Sequence, residues 1–320
     1  MSRVFISKTC AALFVILLFS ECNTMAQQPP TPNPTAPAPA PTPMPPKDEP
    51  DIELNTVLME STFMIQGPSA RIPGQPTLGT VFLIGRPVPG SNYSRIVLVT
   101  AAHVLEEIQG DTAILNLRKK TDEKTNSWVR SPIPLKIRAN GQPLWKKHPE
   151  ADVAVMYIEI PNDTMMKQAV SSDLLADDKM LTEFEVKPGD ELRSLGFPLG
   201  VVSNDAGFPV LRSGRIASYP LLPTDKTKTF LLDFRIFKGN SGGPVYFVER
   251  YRPILRQLGG FMSYHFIVGL VSEEILLQEQ SGGQYSQEIH LTQLGLAKVV
   301  HASLIKQAIE MLPAPTASLP

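Results

Sequence analysis

Cysteine is nearly absent from this chain: its two, Cys10 and Cys22, both lie among the first 26 of 320 residues. The remainder has no thiol pair for a disulfide or a paired-cysteine metal site. Neither sign of charge is in excess. A formal net charge of -1 and a pI near 6.5 give no reason to expect nucleic acid or an anionic membrane as the main partner. The apolar run Ala11–Phe19 falls well short of the roughly 20 residues a bilayer span needs. The sequence also lacks a P-loop, a dinucleotide fingerprint and an H-E-x-x-H pair, so no cofactor and no metal are implied. What is present is a hydrophobic content of 42%, enough for most of the chain to bury a core.

Arg3 and Lys8 precede the apolar run, and Thr24-Met25-Ala26 follow it with small residues where a signal peptidase cuts. Residues 1–26 read as a signal peptide, and the mature protein is expected in the periplasm or outside the cell. Cys22 offers lipid anchoring as a second route, but Glu21 stands where that processing wants a small residue. Residues 27–50 alternate proline with alanine and threonine and offer nothing to bury. They read as a disordered Pro-rich linker, an arm of about 70 Å at about 3.1 Å per residue.

The folded part is expected over 51–312. Short runs rich in Val, Ile, Leu and Phe alternate there with Gly, Pro, Asn and Asp clusters, which is an all-β pattern. Strands are expected at Gly79–Ile84, Arg95–Thr100, Val153–Ile158, Thr229–Phe234, Pro244–Val248 and Phe266–Val271. A polar connection near 161–183 divides them into halves over about 54–160 and about 184–275. Leu304, Ile305, Ala308, Ile309 and Leu312 then share a stripe at helical spacing. They predict a C-terminal helix over about 303–312 with Ser303 as N-cap, followed by a disordered tail at 313–320.

Three segments carry chemistry. Gly239-Asn240-Ser241-Gly242-Gly243-Pro244 sets a serine among glycines that admit positive φ and keep Cβ atoms away from an approaching carbonyl. Thr100-Ala101-Ala102-His103 closes an apolar run, and Ala151-Asp152-Val153-Ala154-Val155 opens another. Together they supply a nucleophile (Ser241), a general base and acid (His103) and a carboxylate to orient it (Asp152). The serine segment also satisfies G-x-S-x-G, the nucleophile elbow of α/β-hydrolases. That fold needs its acid and histidine after the serine, and no aspartate follows Ser241. The elbow must also lead into a helix, whereas Pro244–Val248 reads as a strand.

These segments, in the order His, Asp, Ser, resemble the trypsin-like (chymotrypsin-fold) serine proteases. Arg235–Pro244 and Gly189–Gly200 are similar to segments of the bacterial HtrA-like branch. The resemblance implies two packed six-stranded antiparallel β-barrels with a C-terminal α-helix. It also implies a serine endopeptidase working through an acyl-enzyme on protein or peptide substrates. It puts the oxyanion donors on Gly239 and Ser241 and the specificity pocket near Arg235 and Ile236. A cation at Arg235 would favour acidic substrates, although Leu232, Phe234 and Ile236 alternate with Asp233 and Arg235 as in a strand whose polar face is turned outward. Asn240 stands where clip-activated members carry an aspartate, which implies activity that does not wait for a cut. Strands and the C-terminal helix are expected to take up most of the 79 residues after Ser241, so no PDZ domain is expected there.

Two other readings remain open at this stage. The chain could be a catalytically idle or partner-activated, chaperone-like binding protein, with the Lys238–Gly239 peptide flipped at rest, or it could be an esterase. The nine basic residues from Arg118 to Lys147 read as a solvated face, with contact to an anionic polymer as the alternative.

Overall fold

The computed structural model describes residues 53–122, 127–161, 164, 169–253, 261–283 and 286–315. The segments expected to be a signal peptide (1–26) and a linker (27–50), and most of the expected tail, lie outside the described residues.

The fold is mostly β. Its first half is a sheet of eight strands. In spatial order these are Ser127–Lys136, Thr112–Asp122, Thr62–Pro68, Pro76–Pro87, Ser94–Thr100, Ala154–Tyr157 and Lys146–Lys147, antiparallel throughout. The short strand Val170–Ser171 runs parallel to Pro76–Pro87, with Val170 opposite Ile84. The second half is a closed barrel of six strands: Glu191–Gly196, Val210–Ile216, Thr229–Asp233, Ser286–His301, Phe261–Gly283 and Pro244–Pro253. Its closing strand extends to His301, beyond the boundary near 275 that the sequence suggested. Apolar side chains of both halves, from Phe63, Phe82 and Val99 to Leu232, Phe266 and Val299, form one continuous buried core.

Two helices tie this core to its ends. The C-terminal helix covers Ala302–Glu310 and buries Leu304, Ile305, Ala308 and Ile309. Its N-cap is His301 rather than the expected Ser303. Ser303 lies in the first turn, where its hydroxyl donates to Thr224 Oγ1 at 2.9 Å. A helix at Leu54–Ser61 was not anticipated. Its N-cap residue, Glu53, makes no side-chain capping bond among the described residues, and the helix is held by burial of Leu54 and Leu58. At its other end, the Met59 and Glu60 carbonyls are bound by the Arg118 guanidinium, which satisfies acceptors that a helix terminus leaves open.

The basic region does not form a uniform charged face. Arg118 is fully buried, Arg138 donates to the Leu105, Ile108 and Gly110 carbonyls, and Lys147 pairs with Glu106 at 2.7 Å.

Candidate active site

His103 sits in the first turn of the short helix Ala102–Glu107, directly after the strand Ser94–Thr100. The helix is braced at its end by Arg138, whose charge suits the exposed carbonyls there. Asp152 lies in the turn before the strand Ala154–Tyr157, which pairs with Ser94–Thr100 and so brings the two residues together. One carboxylate oxygen, Oδ2, lies 2.7 Å from His103 Nδ1, and the other, Oδ1, accepts the His103 backbone N–H at 3.0 Å. This double contact fixes both the ring and its backbone.

A fourth group joins from the second half. The Ser272 hydroxyl, 3% exposed, donates to Asp152 Oδ2 at 2.6 Å. Sequence reasoning missed it, because a lone serine 120 residues from the aspartate carries no local signal. Its place at the end of the expected strand Phe266–Val271 is the one pointer available.

The electrostatics follow from these contacts. Burial alone would raise the Asp152 pKa, but the His103 ring, its charge, the Ser272 hydroxyl and the His103 N–H outweigh burial and hold the carboxyl at about 2. Burial alone would lower the His103 pKa. The Asp152 hydrogen bond and charge, with Glu107 and Glu273 behind them, reverse this and raise it above the usual 6.5.

The Ser241 loop is wedged between the halves. Thr80 N–H donates to the Ser241 carbonyl at 2.8 Å, Gly242 N–H to the Val271 carbonyl at 2.7 Å, and Val271 N–H to the Gly243 carbonyl at 2.9 Å. Gly242 has φ +87, and a Cβ there would collide with the Thr80 carbonyl and the Thr100 hydroxyl. The loop therefore lies against Thr100-Ala101, two residues before His103. Ser241 itself is half-buried, and no hydrogen bond joins its hydroxyl to His103 Nε2 among the described residues.

The loop's N–H groups divide in a useful way. Asn240 N–H is used by the Phe237 carbonyl at 3.0 Å, while Gly239 and Ser241 N–H donate to nothing among the described residues. The Lys238 carbonyl accepts the Leu199 N–H at 2.7 Å. Because the peptide is planar and trans, the Gly239 N–H is turned the opposite way. Gly239 has φ +99, and its own carbonyl accepts the Thr80 hydroxyl at 2.7 Å. Asn240 is buried, and its Oδ1 has no partner among the described residues.

A cavity of about 410 Å³ opens beside His103 and Asp152, lined from the first half by Arg71, Glu107 and Glu150 and from the second by Lys228, Glu273 and Lys298. Its charges are paired: Arg71 with Glu107 at 3.0 Å, Lys228 with Glu150 at 3.0 Å, and Lys298 with Glu273 at 2.6 Å. Arg235 is exposed and donates through Nε to Gln293 Oε1 at 2.7 Å, whereas Ile236 is buried. The polar side of that segment thus faces outward, and its cation is engaged at the surface. Among the described residues, no group of three or more His, Cys, Asp or Glu could hold a metal ion, and no helix is long and apolar enough to cross a membrane.

No protein-family model matches the chain, and no curated protein matches it. Solved structures similar to it include three proteases. The thermostable serine protease AL20 from an extremophilic microorganism is 10% identical, with 78% of this chain and 95% of that one covered, at a TM-score of 0.42. Protease Anisep from Arthrobacter nicotinovorans is 12% identical, covering 79% and 96%, at 0.41. The active form of the Rv3671c protease from M. tuberculosis is 15% identical, covering 83% and 87%, at 0.39.

Proposed function

We propose that this chain is a trypsin-like serine endopeptidase. Ser241 attacks the substrate carbonyl, His103 takes the serine proton and later gives it to the leaving amine, and Asp152 fixes the imidazole and supports its charged form. Gly239 and Ser241 N–H stabilise the oxyanion. The observation that carries this reading is the doubly bonded His103–Asp152 pair on one side of a serine loop whose Gly239 and Ser241 N–H groups are unengaged. The segments Arg235–Pro244 and Gly189–Gly200 favour the HtrA-like branch. Substrates are proteins or peptides, and export after loss of residues 1–26 follows from the leader's composition.

The test is labelling of the purified mature protein by a fluorophosphonate, beside Ser241→Ala and with digestion of an unfolded protein. Labelling that vanishes in the variant, together with proteolysis, supports the reading. Substituting Ser241 by alanine should cost on the order of 10⁶ in turnover and Asp152→Asn on the order of 10⁴. The missing Ser241–His103 hydrogen bond is the one observation that favours the partner-activated reading, for which resting protein would neither label nor cleave. Labelling with ester turnover but no proteolysis would instead favour an esterase.

A further inference from the structure

Arg118, in the strand Thr112–Asp122, is 1% exposed, and no carboxylate pairs with it among the described residues. Its guanidinium is bound by carbonyls instead. Nη2 donates to Met59, Glu60 and Thr62 at 3.0, 2.9 and 2.8 Å, and Nη1 donates to Gly207 at 3.0 Å. The Phe63 and Phe208 rings pack against it, each centroid 4.3 Å from Cζ. Burial lowers its pKa to about 9, with Glu60 opposing the fall, so the group remains a cation at neutral pH. A strand could bury an apolar side chain here at far lower cost. What an arginine adds is a link among the end of the helix Leu54–Ser61, the first sheet and the loop between the strands Glu191–Gly196 and Val210–Ile216.

That loop is anchored at both ends. At its far end Gly207 is held by Arg118, Phe208 meets Trp128 edge-on with centroids 5.3 Å apart, and Arg130 Nε donates to the Asp205 carbonyl at 3.1 Å. Turns within it are closed by Ser203 N–H to Phe208, Gly207 N–H to Asn204, and Val201 N–H to Pro198, each at 2.9 Å. At its near end the Leu199 N–H holds the Lys238 carbonyl. Leu199 is 66% exposed and has φ +54, a conformation that a leucine keeps only where its surroundings impose it. If the Leu199 N–H withdrew, the Lys238 carbonyl would be free to turn inward toward the Ser241 N–H three residues on, and the Gly239 N–H would swing out.

We infer that Arg118 is a positioning residue for hydrolysis: through Gly207 and the loop 197–208 it keeps the Lys238 carbonyl turned outward and the Gly239 N–H turned toward the oxyanion. The inference rests on the endopeptidase reading. It makes the contact between the two halves a determinant of turnover, separate from the residues that touch substrate.

The test uses the mature protein with Arg118→Lys, Arg118→Met and Arg130→Ala. It measures kcat and KM for p-nitrophenyl acetate, the affinity for phenylboronic acid, whose serine adduct places an oxygen against the two N–H groups, and the circular-dichroism melt. The Arg118 variants are expected to lose about 10- to 100-fold in kcat. Boronate affinity should fall in parallel, with KM within about twofold of wild type. Arg130→Ala, at an exposed position, should lose about 3- to 10-fold without loss of folding, and it decides the matter if the Arg118 variants do not fold. Folded variants with wild-type kcat, or with kcat lost and boronate affinity retained, overturn the inference. A wild-type chain that neither labels nor turns over substrate overturns the hydrolase reading and this inference with it, whereas an active wild type with unchanged variants overturns the inference alone.

Discussion

The Thr80 hydroxyl, carried by the first sheet, donates at 2.7 Å to the carbonyl of Gly239, 159 residues further along the chain, in the loop that presents Ser241. Thr80 is fully buried, so nothing from solvent replaces that donor if it is removed. Thr80→Val should leave the carbonyl unpaired, at a cost of about 1–3 kcal/mol, and should lower kcat at least tenfold. Thr80→Ser should restore both. Urea melts beside ester turnover check this, and a fully active Thr80→Val would deny the hydroxyl any part in shaping the loop.

Ser272→Ala should act through Asp152. Loss of a hydrogen bond to a charged group costs about 1.5–3 kcal/mol, and the Asp152 carboxyl should rise from about 2 toward its ordinary range. The expected result is a roughly tenfold fall in kcat/KM with little change in KM. Measuring both constants for wild type and variant decides it, and an unaltered kcat would remove Ser272 from the working site.

The pH profile should carry the mark of His103. A general base must be neutral, and the Asp152 partnership overcomes burial to raise the pKa of this imidazole above 6.5. The acid limb of kcat/KM should therefore have its midpoint above 6.5, with activity lost as pH falls through it. In Asp152→Asn the midpoint should move down. A wild-type midpoint at or below 6.5 would contradict the geometry.

His301 should set the acid stability, with the opposite sign. The residue is buried, neither ring nitrogen has a partner among the described residues, and its ring lies against Phe230 with centroids 4.8 Å apart. Burial, only partly offset by Asp178, lowers its pKa to about 4 from 6.5. Between those values the unfolded chain binds more protons, so stability falls as pH drops from 6.5 toward 4, by on the order of 3 kcal/mol. His301→Leu should remove that slope. Urea unfolding at pH 7 and pH 4.5 compares the two proteins, and equal slopes would show that acid sensitivity arises elsewhere.

The sequence announced those parts of the molecule whose signal is local. Gly239–Pro244, Thr100–His103 and the segment around Asp152 each announce themselves within a few residues. The strands Ser94–Thr100, Ala154–Tyr157 and Thr229–Asp233 are short apolar runs between turn signals. What was hidden depends on distant partners. Ser127–Lys136 carries Pro132 and Pro134, which argue against a strand, yet it is the terminal strand of its sheet, where a missing donor can face outward. Ser286–His301 is largely polar and takes its form from register with Phe261–Gly283. The helix Leu54–Ser61 has only eight residues and depends on burial and on Arg118, which composition presented as one more surface charge.

His103 and Asp152 belong to the first half of the fold, while Ser241 and Ser272 belong to the second. Neither half holds all four residues, so on the proposed reading turnover lasts only as long as the two remain seated on one another. Turnover is then an assay of docking. Since the two halves share one core, turnover should be lost no later than the spectroscopic signal of either sheet as denaturant is added.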